Sequence, residues 1–109
     1  MSNRTEGSEA LFHIGQTVHH CLFEYRGVVF DVDAVFMGSD QWYDFMAKSR
    51  PPKDQPWYHV LVHGAEHTTY VAQRNLEPDE TGEPVNHPLI EEIFGVHENG
   101  VYLSRQTLS

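Results

Sequence analysis

The chain has 109 residues, 39% of them hydrophobic, and its seven Lys and Arg against 16 Asp and Glu leave a net charge of −9. That length supports one modest core rather than two, and the charge opposes non-specific binding to nucleic acid or anionic membrane. A single cysteine, Cys21, excludes an internal disulfide, and no apolar leader or membrane-length apolar stretch is present, so a cytoplasmic protein is expected.

Residues 1–11 are polar and read as a disordered tail, ahead of one domain over 12–104 and a short tail at 105–109. Ile14-Gly15-Gln16-Thr17-Val18 reads as a turn entering a first strand that runs to about Leu22. A long second strand follows, from Tyr25 to near Phe36, paired antiparallel with the first. Alternation places Val28, Phe30 and Val32 on its core face, with Gly27, Val29, Asp31 and Asp33 on the other.

Asp40 to Met46 can form a short helical turn capped by Ser39 or Asp40. The proline-rich run from Arg50 to Pro56 cannot continue a helix or a central strand, because its prolines lack the amide donor. A surface connection of this kind often carries binding function. Trp57 to His63 and Thr68 to Gln73 form a hairpin, with Tyr58, Val60 and Val62 on one face and Trp57, His59 and Leu61 on the other. An acidic turn leads to a two-turn helix over 87–95 with Pro88 near its start, and residues 100–103 add a short strand. The fold class is therefore mainly β: a small, strongly curved antiparallel SH3-like β-barrel with one short C-terminal helix.

Catalytic motifs are lacking. His59 and His63 would converge on a helix, but on a strand their Cα atoms stand roughly 13 Å apart, too far to share one ion. His63 and His67 flank a loop, and two ligands do not make a structural zinc site, so neither a metal nor another cofactor is expected. Asp31 and Asp33 read as a charged outer strand face that discourages edge pairing. Cys21 reads as a buried free thiol. An enzyme is not expected.

Two surfaces remain for binding. Residues 77–98 hold seven acidic residues and no Lys or Arg, so the rest of the chain carries only −2. This segment is either a solvated face or a docking surface for a basic partner. The basic side chains able to meet DNA are Arg26, Arg74 and the loop set Lys48, Arg50 and Lys53. Trp57 is a candidate interface anchor, exposed or covered by a partner or by the Pro51-Pro52 loop.

Tyr-Arg-Gly-Val-Val-Phe-Asp-Val-Asp at 25–33, Asp-Gln-Pro-Trp-Tyr-His-Val-Leu-Val at 54–62 and Tyr-Val-Ala-Gln-Arg-Asn-Leu at 70–76 occur in order. With Ile14 to His20 before them and His87-Pro88 after, they closely resemble the HspQ heat-shock protein family, the YccV-like or hemimethylated-DNA-binding domain, over residues 12–103. The resemblance implies a bacterial cytosolic β-barrel protein that is not an enzyme. It further implies promotion of substrate degradation by the Lon protease, an effect on the level of the replication initiator DnaA, hemimethylated-DNA binding, and homo-oligomers that include trimers. Seven basic residues at a net charge of −9 are a poor electrostatic footprint for DNA. Protein contacts are therefore the favoured reading and direct DNA recognition the alternative.

Overall fold

β-Branched and aromatic residues alternate along two runs, and both runs become the central strands of one sheet. The computed structural model describes residues 9–98 and 101–104. Its strands are β1 (Thr17–His20), β2 (Arg26–Asp33), β3 (Trp57–Val62), β4 (Thr68–Ala72), β5 (Leu76–Pro78), β6 (Phe94–Glu98) and β7 (Val101–Ser104). Two short helices, α1 (Asp40–Met46) and α2 (Ile90–Ile93), complete the set with a 3-10 turn at Gln73–Asn75. Five strands form an antiparallel sheet in the order β4-β3-β2-β1-β5, and β6 pairs β7 in a separate hairpin.

The mainly β class holds. The closed barrel does not follow from the ladder, which is open with β4 and β5 as its edges. The 3-10 turn joins these two edge strands along the chain. The helical turn expected over Asp40–Met46 is present as α1, and the C-terminal helix is a single turn rather than two. Phe94 and Gly95, predicted as the end of that helix, instead open β6. Residues 76–78, by sequence a lead into the acidic turn, pair with β1 as β5, and beyond Pro78 the Asp79 amide still donates to the Thr17 carbonyl at 3.1 Å.

One face of the sheet buries Phe12, Val18, Val29, Tyr58, Val60, Val71 and Leu76. The opposite face carries two separate covers. Val28 and Leu61 lie under Val85, Phe94 and Tyr102 from the C-terminal segment. Trp57 and Ala72 lie under Tyr43 and Ala47 from α1 and its C-terminal cap. Burying both faces explains why β3 reads Trp-Tyr-His-Val-Leu-Val with little polar alternation.

The predicted faces of β2 are corrected. A β-bulge between Val29 and Asp31 leaves Phe30 as an extra residue opposite β3. Val28 and Phe30 therefore pack with the C-terminal cover, whereas Val29 and Val32 join the other core. The strand ends at Asp33, short of the expected Phe36. At its other end, Gly27 meets β3 so closely that an added Cβ would stand 2.5 Å from the Leu61 carbonyl oxygen.

Order also reaches further toward the N-terminus than residue 12. The Leu11 amide donates to Tyr58 Oη at 3.1 Å and Gln73 Oε1 at 2.9 Å, and Gln73 Nε2 donates to the Glu9 carbonyl at 3.3 Å. The expected tails at 1–8 and 105–109 lie outside the described residues.

Candidate interaction surface

Ser39 accepts a hydrogen bond from the Trp42 amide at 3.0 Å and so caps α1, as its position before the helix predicts. The cap fixes the helix against Trp57, whose indole N–H donates to the Pro52 carbonyl at 3.0 Å. Trp57 is 1% exposed and sits among Phe36, Tyr43, Trp42 and Tyr70. Its ring is covered by the chain itself and tied to the Pro51-Pro52 loop, the last of the three arrangements expected, and offers no surface to a partner.

The basic residues divide into two places. Arg26 sends Nε and Nη2 to Asp79 Oδ2, both at 3.0 Å, and Nη2 also donates to the Glu83 carbonyl. The Asp79 carboxylate is 3% exposed. Burial pushes its pKa up, but hydrogen bonds from Arg26 and Thr81 outweigh that and hold it below the ordinary carboxylate value. Arg26 therefore clamps the β1–β2 edge to the acidic segment and is committed to that contact.

Lys48, Arg50, Lys53 and Arg74 gather around α1 and the loop that follows it. Arg50 pairs with Asp44 at 2.8 Å and Lys53 with Asp40 at 3.2 Å, and both lie over the Tyr43 ring. Lys48 lies over Phe45, and Arg74 donates to the Ser49 carbonyl, which brings it to the same side. These contacts are exposed, so they hold the cations only weakly. The structure thus unites four of the five predicted basic residues and sets Arg26 apart.

Beside this rim runs a groove that sequence reading missed. Two adjoining cavities of about 210 and 520 Å³ share His20, Phe23, Trp42, Met46, Tyr70 and Val71. Phe23 is 75% exposed and Phe45 74%, with Leu22 and Met46 also exposed nearby. Two of these side chains come from the turn after β1 and two from α1. The turn depends on His20, whose Nδ1 accepts the Leu22 and Phe23 amides, each at 3.1 Å, and whose ring stacks on Phe23. Burial and then the neighbouring His19 lower the His20 pKa, so the ring remains an acceptor. The available signal was an apolar Leu-Phe pair inside a connection too short to bury it.

Cys21 lies in this turn and is exposed, which corrects its predicted burial: β1 ends one residue earlier. Partial burial, followed by Glu77 and Glu24, raises its pKa and keeps it a poorly nucleophilic thiol. Of the seven acids in 77–98, Asp79 serves Arg26 and Glu77 accepts from or ion-pairs with His19 at 2.7 Å, while Glu80, Glu83, Glu91, Glu92 and Glu98 are exposed.

The histidines mostly serve the backbone. His63 Nδ1 accepts the Asn86 amide at 2.9 Å, and His87 contacts the His67 carbonyl at 3.0 Å while accepting from the Leu89 amide. Among the described residues, the side chains that converge as metal ligands are Asp31, Asp33 and His59, whose ligand atoms lie within 4.8 Å of one another. His59 Nε2 is 3.1 Å from Asp33 Oδ2, and Tyr70 Oη donates to that same oxygen at 2.7 Å. Burial first, then the Asp33 hydrogen bond, raises the Tyr70 pKa, so the phenol remains a donor.

Compared with known protein families, residues 10–101 match the model described as hemimethylated DNA-binding protein YccV like.

Proposed function

The chain belongs to the YccV-like family, and we propose that it is a non-enzymatic cytoplasmic binding module that captures client proteins and modulates their degradation. The observation that carries this reading is the groove beside α1. Large apolar side chains, Phe23 at 75% and Met46 at 57% exposure, line a cavity floored by aromatic residues. Contiguous apolar exposure of this kind marks a protein-contact surface. The family resemblance supplies the proteolytic context: delivery of clients to the Lon protease, and through it the turnover of DnaA. The same reading carries the SH3-like description of the scaffold, supported by the five-strand order and the 3-10 link between its edges. It also carries assembly into homo-oligomers, with light scattering as the check and a trimer as the expected mass.

The second reading is recognition of hemimethylated DNA, favoured by the family description and by the four cations around α1. If all four met phosphates, the slope of log affinity against log salt would be about −3.6, or a loss of roughly 150-fold between 50 and 200 mM.

One experiment separates the readings. Degradation of a Lon substrate is followed with and without the protein, alongside titration of a hemimethylated duplex at two salt concentrations. Accelerated proteolysis that Phe23→Ser and Met46→Ser abolish is the expected result. No acceleration, together with nanomolar methylation-dependent DNA binding, would reverse the ranking.

A further inference from the structure

We propose that Asp31, Asp33 and His59 form a binding site for a divalent first-row transition-metal ion, with open coordination positions facing the cavity beside Tyr70. The site follows from the β2 bulge. Uninterrupted pairing from Val29 and Val60 would set Asp31 opposite Tyr58; the extra residue Phe30 sets it opposite His59 instead. The bulge thereby turns Asp31 and Asp33 onto the sheet face that carries the imidazole. Bulges commonly re-aim side chains in this way beside functional sites.

Position on the sheet keeps this trio polar and accessible. The two apolar covers of that face leave a seam, and His59 lies in it, 5.8 Å from the Phe30 ring on one side and 4.5 Å from the Tyr70 ring on the other. Asp33 and His59 also line a cavity of about 300 Å³ with Trp42 and Tyr70, roomy enough for coordinated water.

The geometry suits a metal ion. Bonds of about 2.1 Å at octahedral or tetrahedral angles place neighbouring ligand atoms roughly 3.0–3.4 Å apart. The 3.1 Å between His59 Nε2 and Asp33 Oδ2 already meets that spacing. Asp31 is exposed, and with its Oδ1 held by the Val32 amide at 2.9 Å its Oδ2 is left to meet an ion. Outer support is present as well: the Met37 amide donates to Tyr70 Oη at 3.0 Å, and Tyr70 Oη donates to Asp33 at 2.7 Å. Such chains orient ligating carboxylates.

Charge points the same way. The five described Lys and Arg side chains all contact groups elsewhere, namely Asp79, Phe45, Asp44, Asp40 and Ser49. Among the described residues, neither carboxylate is paired with a Lys or Arg. One nitrogen and two oxygens suit manganese, iron, cobalt or zinc rather than copper(I), which prefers sulfur.

The test uses the full chain freed of metal by chelation. Substoichiometric Mn²⁺ is added to ¹⁵N-labelled protein, and Zn²⁺ affinity is measured by calorimetry for the parent, Asp31→Asn, Asp33→Asn and a His63→Gln/His67→Gln control. Paramagnetic broadening should centre on Phe30 to Asp33, His59 and Tyr70. Each Asp variant should weaken Zn²⁺ at least tenfold, while the control stays within twofold. Asp31→Asn matters most, because Asp31 is exposed and its loss leaves the fold intact. Broadening centred on other histidines, no measurable binding, or an Asp31→Asn protein that binds like the parent would each overturn the assignment.

Discussion

Replacing Arg26 with methionine separates a structural clamp from a partner contact. The substitution keeps a long apolar stem and deletes the guanidinium that meets Asp79 through two nitrogens at 3.0 Å. Asp79 is then a carboxylate with 3% exposure and no opposite charge. Breaking one half of a buried pair costs about 3–5 kcal/mol. Two features reduce that figure. Thr81 still donates its hydroxyl to the carboxylate at 2.9 Å, and the Arg26 side chain is 17% exposed, so water reaches part of the space it leaves. A loss of about 2–3 kcal/mol remains, or roughly 10–20 °C in Tm for a domain of this size.

Urea denaturation at pH 7 and near pH 3 measures the loss and its origin. The folded pKa of Asp79 lies below its ordinary value, so its contribution is present above the unfolded pKa and disappears as pH falls through the folded one. The gap between parent and variant should therefore be full at pH 7 and narrow below about pH 4. Client and duplex binding by the folded variant should be unchanged. A variant within about 0.5 kcal/mol of the parent, or a gap as large at pH 3 as at pH 7, would refute the clamp. So would a salt slope for DNA that falls by about one, since that is the mark of a lost phosphate contact.

Three further outcomes follow from the same packing. Trp57→Ala should cost about 3–5 kcal/mol because the ring is 1% exposed, and guanidinium denaturation would show it; a change under about 1 kcal/mol would mean that the ring is not in the core. Gly27→Ala should lose more than about 2 kcal/mol in the same assay, since the new Cβ would meet the Leu61 carbonyl at 2.5 Å and Val60 Cγ1 closer still; near-neutral stability would contradict that close approach. Phe23→Ser should leave stability within about 0.5 kcal/mol yet weaken client capture at least tenfold, read by fluorescence anisotropy with a labelled client. Unchanged capture would remove the groove from the mechanism.

Much of the scaffold was legible from local rules. Side chains alternate along any strand, which gives the β3–β4 hairpin and the opposed faces of Tyr58 and Trp57, and a hydroxyl just before a helix satisfies its first amides, which gives the Ser39 cap. Pairings set by distant segments were not legible. β5 exists because Leu76 and Glu77 meet His20 and His19 of β1, and β6 exists because Phe94 to Glu98 meet β7. Neither segment alternates strongly enough to announce a strand by itself. The site residues show the same limit. Arg26 and Lys53 look alike as basic residues near aromatics, and only the fold places one against a buried carboxylate and the other on an exposed rim.

The bulge at Phe30 is the most instructive case. Alternation assigned Phe30 and Val32 to one face, and that assignment fails because one residue is counted twice against β3. The same slip sets Asp31 opposite His59 instead of Tyr58. A bulge costs ladder hydrogen bonds, so it persists where the surrounding packing fixes it. Here Phe30 packs into the C-terminal cover while Val32 packs into the other core, which locks the register on both sides. The position where period-two reading breaks down is therefore the position where the fold gathers a histidine and two carboxylates.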